Sequence, residues 1–163
     1  MSWFPNADGI LWFYDSVWRS LKKRHPGFVF DVVGSDPSVR LGRLRSEPGV
    51  NLAGYVEDVT PYLAGATVAV VPLRVGSGLR IKVLEFLSCG IPVVTTSVGC
   101  EGIPVTSGRE LVIADGAEAF GEAVSLLLGD PAERQKLSEN AVRFVREHYS
   151  FESAARFYEE MFS

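Results

Sequence analysis

Thr67-Val68-Ala69-Val70-Val71-Pro72-Leu73-Arg74-Val75-Gly76-Ser77-Gly78-Leu79-Arg80-Ile81-Lys82-Val83-Leu84-Glu85-Phe86-Leu87-Ser88-Cys89-Gly90-Ile91-Pro92-Val93-Val94-Thr95-Thr96 is the stretch that decides the fold. Residues 67–71 are a short β-branched apolar run closed by Pro72, which reads as a buried strand. Residues 74–78 are a glycine-rich loop. Residues 79–89 read as a helix with Ile81, Leu84 and Ser88 on one face, stopped by Gly90. Residues 92–96 are a second strand of the same kind. Strand, helix and strand in so short a span form a βαβ unit.

The same alternation continues outward. Upstream, Ile10, Phe13, Tyr14, Val17, Trp18 and Leu21 recur at helical spacing over residues 8–24, and Pro26-Gly27 ends that helix. Residues 28–33 form a strand closed by Gly34-Ser35. An amphipathic stretch over 37–45 leads to Pro48-Gly49, a strand over 50–53 ends at Gly54, and residues 58–63 form a short helix. Downstream, residues 111–114 form a last strand. Asp115-Gly116-Ala117-Glu118 has the pattern of a capping box, and Asp130-Pro131-Ala132-Glu133 starts a helix whose inward stripe is Leu137, Ala141, Phe144, Val145 and His148. A final helix begins near Ser150.

These strands are continuous apolar runs, as in a parallel sheet covered on both faces. The predicted class is therefore α/β, a Rossmann-like three-layer α/β/α arrangement. Ligands of such sheets bind at the carboxyl ends of the strands. Those ends carry Gly34-Ser35, Gly54-Tyr55, Pro72 with its loop, and residues 95–99. No strand precedes the first helix, whereas alternating folds lead with one. The sequence is expected to be a piece of a longer chain that has lost its own first strand.

Composition narrows the function. The 163 residues, 47% hydrophobic and 22% charged, suit one ordinary domain. The net charge of −4 comes without a basic stripe, which argues against nucleic acid as a partner. Cys89 and Cys100 lack zinc spacing and read as reduced thiols, Cys89 in the core, of a cytoplasmic protein. No apolar run approaches the roughly 18–20 residues of a membrane span.

The chemistry concentrates in the glycine turn. It is neither a P-loop nor the G-x-G-x-x-G fingerprint. A glycine-rich turn opening a helix after a strand still presents free N–H groups and a positive dipole end to an anion. Arg80 and Lys82 add two cations where the helix itself disfavours them, which calls for an anion to offset them. Glu85 leans back toward the helix start and could accept hydrogen bonds from a vicinal diol such as a ribose. The alternative is a solvated turn with Glu85 an ordinary surface acid. Glu101 could likewise reach a phosphate or sugar, or be a simple loop acid. His25 and His148 lack a neighbouring nucleophile and read as structural, and the tryptophans as packing residues.

The run from Pro72 to Thr96 closely resembles the donor-binding region of group 1 glycosyltransferases (family four, GT-B fold). Asn51-Leu52-Ala53-Gly54-Tyr55-Val56-Glu57-Asp58, Gly99-Cys100-Glu101-Gly102-Ile103 and Trp3-Phe4-Pro5-Asn6 resemble the same family. The resemblance covers the whole chain as the C-terminal half of such an enzyme. It implies one nucleotide-sugar-binding domain over residues 1–163, with an N-terminal acceptor domain elsewhere in the protein. Any peripheral membrane association would run through that other domain.

By resemblance, Glu85 holds the ribose hydroxyls, and Gly76, Ser77, Gly78 and Leu79 meet the diphosphate or sugar with Arg80 and Lys82. Gly54, Tyr55 and Val56 lie near the base, and Gly34 and Glu101 complete the donor-binding set. The implied reaction is glycosyl transfer from a UDP- or GDP-linked sugar, with retention and without a metal or cofactor. No catalytic residue is assigned. Many members carry a glutamate eight residues before the ribose glutamate, where this chain has Ser77. That departure permits one rival, a non-catalytic nucleotide-binding or regulatory domain of the same fold; a second, half of a sugar-nucleotide epimerase, rests on the shared GT-B architecture. The chain by itself is expected to be inactive as a transferase.

Overall fold

The computed structural model describes residues 4–34, 40–76, 78 and 80–150. Helix α1 (Phe4–Phe13) runs through a π-helical segment, Tyr14–Trp18, into α2 (Arg19–Arg24) without leaving helical backbone angles. It starts a turn earlier than the periodicity predicts, because Pro5 sits in the first turn, where a missing N–H costs nothing. The π segment keeps Phe13, Tyr14, Val17, Trp18 and Leu21 turned inward. At the far end Lys22 Nζ donates to the carbonyls of Pro26 at 2.6 Å and Phe28 at 2.7 Å, tying the reversal into the next strand.

Strands β1 (Phe30–Val33) and β2 (Val50–Gly54) pair in parallel, with Phe30 opposite Val50 and Val32 opposite Leu52. A 3-10 turn, Gly42–Ser46, and short α3 (Thr60–Gly65) flank β2. The amphipathic stretch predicted over 37–45 is partly outside the described residues. A second parallel sheet has the order β3 (Ala69–Val71), β4 (Val93–Thr95), β5 (Val112–Ile113). Helix α4 (Ile81–Ser88) crosses from β3 to β4, and α5 (Ala117–Gly129) and α6 (Pro131–Tyr149) close the described chain. The class is α/β, as expected, with parallel strands flanked by helices.

Two cores divide the layers. One gathers α1, α2 and α5 against one face of both sheets, through Phe13, Leu21, Phe30, Val32, Val94, Phe120 and Leu127. The other packs α4 and α6 on the opposite face of β3–β4–β5, through Ala69, Val71, Val83, Leu87, Val93, Ala141 and Phe144. The outer face of β1–β2 carries exposed Asp31 and Asn51, joined by a 2.7 Å hydrogen bond.

Several local expectations are corrected. Helix α4 turns Val83 and Leu87 inward, an i, i+4 pair, and leaves Ile81 64% exposed and Ser88 at the surface. Cys89, read as core, is exposed: the helix ends one residue earlier, and Cys89 follows exposed Ser88 at the surface. His148 is exposed, its ring 4.8 Å from that of Phe144. Asp115 does not cap α5. Its carboxylate accepts from the Ser97 N–H and hydroxyl, both at 2.8 Å, and Gly116 takes the cap position with no side-chain bond. Asp130 caps α6 as predicted, accepting from the Ala132 and Glu133 N–H groups at 2.9 and 3.0 Å. The helix predicted from Ser150 lies outside the described residues.

Candidate functional site

The carboxyl ends of the parallel strands carry the predicted site. Gly34 and Gly54 close β1 and β2 side by side, the Gly34 N–H donating to the Gly54 carbonyl at 2.8 Å. Beyond them Tyr55 is 73% exposed and Val56 half-buried. From β3 the chain leaves through buried Pro72 and Leu73 into the glycine turn. Gly78 has φ +92°, a conformation that a residue with a Cβ adopts only under strain. Ser77 and Leu79 lie outside the described residues.

Threonines fix where that turn begins. Thr95 Oγ1 donates to the Val71 carbonyl at 3.0 Å, and Thr96 Oγ1 donates to the Leu73 carbonyl. The same Thr96 oxygen accepts from the Gly99 N–H at 3.0 Å. The end of β4 is thereby sewn to the exit of β3, with both hydroxyls buried and satisfied.

Arg80 and Lys82 follow at the start of α4. Arg80 is its N-cap, only 5% exposed, and its Nε donates to the Val98 carbonyl at 3.3 Å in the turn before exposed Glu101. Lys82 is half-buried. Burial pushes its ammonium below the ordinary lysine value, Arg80 pushes the same way, and Glu85 opposes them. Glu85 is exposed one turn along the helix, on the side that acts on Lys82. Two cations here oppose the helix dipole as well as each other, so an anion in front of α4 would relieve both.

Sequence reasoning missed the residues of α1 that hold this turn. Lys82 Nζ donates to Asn6 Oδ1 at 2.6 Å. Arg74 grips Asp8 with a two-pronged pair, Nε to Oδ2 at 3.0 Å and Nη2 to Oδ1 at 2.8 Å. Gly9 brings the helix close: a Cβ there would overlap the Pro72 carbonyl oxygen and stand 3.1 Å from its carbonyl carbon. The available signal was two polar side chains, Asn6 and Asp8, near the start of an otherwise apolar helix.

The other candidates lie apart from the site. His25 Nε2 bonds Ser125 Oγ at 2.8 Å at the end of α2, which is structural. A groove along α6, lined by Ser138, Val142, Arg143 and Arg146, shares no residue with the glycine turn. Among the described residues no His, Cys, Asp and Glu cluster could hold a metal ion, and no helix is long and apolar enough to cross a membrane.

Known proteins resemble the chain along its length. The family described as "Glycosyl transferases group 1" matches residues 1–130. An "Uncharacterized 44.6 kDa protein in cps region" of Klebsiella pneumoniae is 22% identical over 152 residues, covering 88% of this chain and 39% of its own length. This chain thus spans about two fifths of that relative. Among solved structures, a variant of S. aureus TarM, in complex with fondaparinux, alpha-GlcNAc-glycerol and UDP, superposes with a TM-score of 0.79. It is 15% identical and covers 100% of this chain and 34% of that one. The C-terminal domain of a glycosyl transferase group 1 family protein (LpcC) from Francisella tularensis gives a TM-score of 0.71 at 14% identity. It covers 85% of this chain and 78% of the other, and these likenesses establish the fold.

Proposed function

The chain belongs to the group 1 glycosyl transferases, and from that membership we propose that it forms the donor-binding wall of a glycosyl transfer site. The ligand is a nucleoside-diphosphate sugar. Its diphosphate sits at the glycine turn, against the N-terminal turn of α4 with Arg80 and Lys82. Its ribose reaches Glu85, and its base lies near Gly54, Tyr55 and Val56. One observation carries this reading: buried Arg80 and half-buried Lys82 stand together at a helix N-terminus that both disfavour. The UDP in the TarM complex supports the ligand class.

The chemistry follows from charge. Bond cleavage at the anomeric carbon leaves a diphosphate carrying the departing electron pair. Fixed cations and backbone N–H groups stabilise that developing charge without a metal. The acceptor binds to a second domain of the whole protein, and this domain itself has a further parallel strand. The separate pairing of β1–β2 and β3–β4–β5 supports such a strand between them. Transfer proceeds with retention in the cytoplasm. By itself the chain binds donor and does not transfer, because near-attack geometry and exclusion of water need both walls of the cleft.

Titration with UDP, GDP and ADP by calorimetry and amide NMR tests the reading. One of them shifts resonances around residues 76–84 at millimolar concentration or below. Glu85→Ala weakens that nucleotide by about 1–3 kcal/mol, as expected for hydrogen bonds to a charged group, and narrows the preference for ribo- over 2′-deoxyribonucleotide. Silence in residues 76–84 with all three nucleotides refutes the assignment.

A further inference from the structure

We infer that Asn6 is a positioning residue that aims Lys82 at the bound anion while leaving its charge unspent. The inference rests on the anion reading of the glycine turn and adds a specific device to it. Two cations near that turn are held from the same turn of α1, and they are held differently. Arg74 meets a carboxylate, Asp8, in a two-pronged ion pair that neutralises it. Lys82 meets an amide oxygen at 2.6 Å. The geometry requires the oxygen there, since an ammonium has only donors.

An aspartate at position 6 would be the easier choice for stability. It would pair with Lys82, and a negative charge suits the first turn of a helix. The neutral amide fixes the direction of the ammonium and leaves a full positive charge for an outside partner. The charged groups that act on Lys82 are Arg80, which repels it, and Glu85, which attracts it from one turn further along α4. Asp8, two residues beyond Asn6, is taken by Arg74. Asn6 thus separates holding from neutralising, a distinction that matters only if an anion is to follow.

The isosteric variant Asn6→Asp tests this, because it keeps the acceptor oxygen and favours the helix start, so the fold survives. Two quantities are read on the 163-residue chain and this variant: the pKa of the Lys82 ammonium by side-chain NMR, and affinity for inorganic pyrophosphate and UDP by calorimetry. In Asn6→Asp the Lys82 pKa rises and pyrophosphate binds at least tenfold more weakly, with the urea midpoint held or raised. If Asn6 merely braced α1 against α4, the variant would bind pyrophosphate as the parent does, and that result overturns the inference. Should the parent bind neither ligand, the anion reading falls by itself. The Lys82 titration still judges the clamp in that case, and an unchanged pKa in Asn6→Asp overturns it.

Discussion

Replacing Gly9 with alanine probes the contact on which the site is built. In an ordinary helix interior the change stabilises by about 1 kcal/mol. At Gly9 the new methyl would overlap the Pro72 carbonyl oxygen and lie 3.1 Å from the carbonyl carbon, against an ordinary carbon–carbon separation of about 3.5–4.0 Å. The obstacle is main chain, held by the Thr95 and Thr96 hydroxyls on either side, so it cannot rotate away. Overpacking of this kind costs about 1–3 kcal/mol, and a backbone obstacle places it near the upper figure. Subtracting the propensity gain leaves Gly9→Ala about 1–2 kcal/mol less stable than the parent.

Gly121→Ala is the matched control. It also lies inside a helix and is buried, yet its methyl would meet Val17 Cγ1 at an ordinary 3.5 Å. That variant gains about 0.5–1 kcal/mol. Urea unfolding of the parent and both variants is the assay. With a slope of about 2 kcal/mol/M, Gly9→Ala loses about 0.5–1 M of midpoint while Gly121→Ala gains. A Gly9→Ala midpoint at or above that of the parent would refute the close approach of α1 to residues 72–73. The route by which Asn6 and Asp8 reach Lys82 and Arg74 would fall with it.

Three further outcomes are expected. Asp130→Ala removes the acceptor for the Ala132 and Glu133 N–H groups and costs about 1 kcal/mol by urea unfolding. A thiol reagent at neutral pH labels exposed Cys89 and spares Cys100, which is buried and whose thiol burial pushes above its ordinary value; mass spectrometry of the native chain reads this, and labelling of Cys100 at the same rate contradicts it. Lys82 has a folded pKa below its ordinary 10.5, so the unfolded chain binds more protons in the interval just under that value and stability rises with pH there. Unfolding measured from pH 8 to 10.5 shows this rise in the parent relative to Lys82→Met, and parallel curves for the two chains would count against a desolvated Lys82.

The alternation of strands and helices was legible because each strand is a short apolar run between glycine or proline stops, a signal that needs no partner. That Arg80, Lys82 and Glu85 stand together at the start of one helix was legible because two cations and an acid after a glycine turn are a local pattern. What escaped was everything decided by packing. The inward face of α4 centres on Val83 and Leu87, with Leu84 half-buried beside them, and leaves Ile81 outside, since helical spacing alone does not say which stripe meets α6. Cys89 falls just past the end of α4, a boundary that local spacing does not fix. Asp115 looked like a cap and instead serves Ser97, a residue eighteen positions back that the next strand brings within reach. The grip of Asn6 on Lys82 spans 76 positions and has no trace in local spacing.

The unequal cover on the two sheets divides the domain by lifetime. Strands β3, β4 and β5 are roofed on both faces, while β1 and β2 have one face open at Asp31 and Asn51. Amide protons of β3 and β4 are therefore expected to exchange through larger openings than those of β1 and β2, which smaller excursions would expose. The proposed donor straddles that border, with its diphosphate on the durable side at α4 and its base beside Gly54 on the yielding one. Occupancy would therefore slow exchange most where the empty domain is fastest, so that part of the ligand's free energy is spent ordering the strands that receive it.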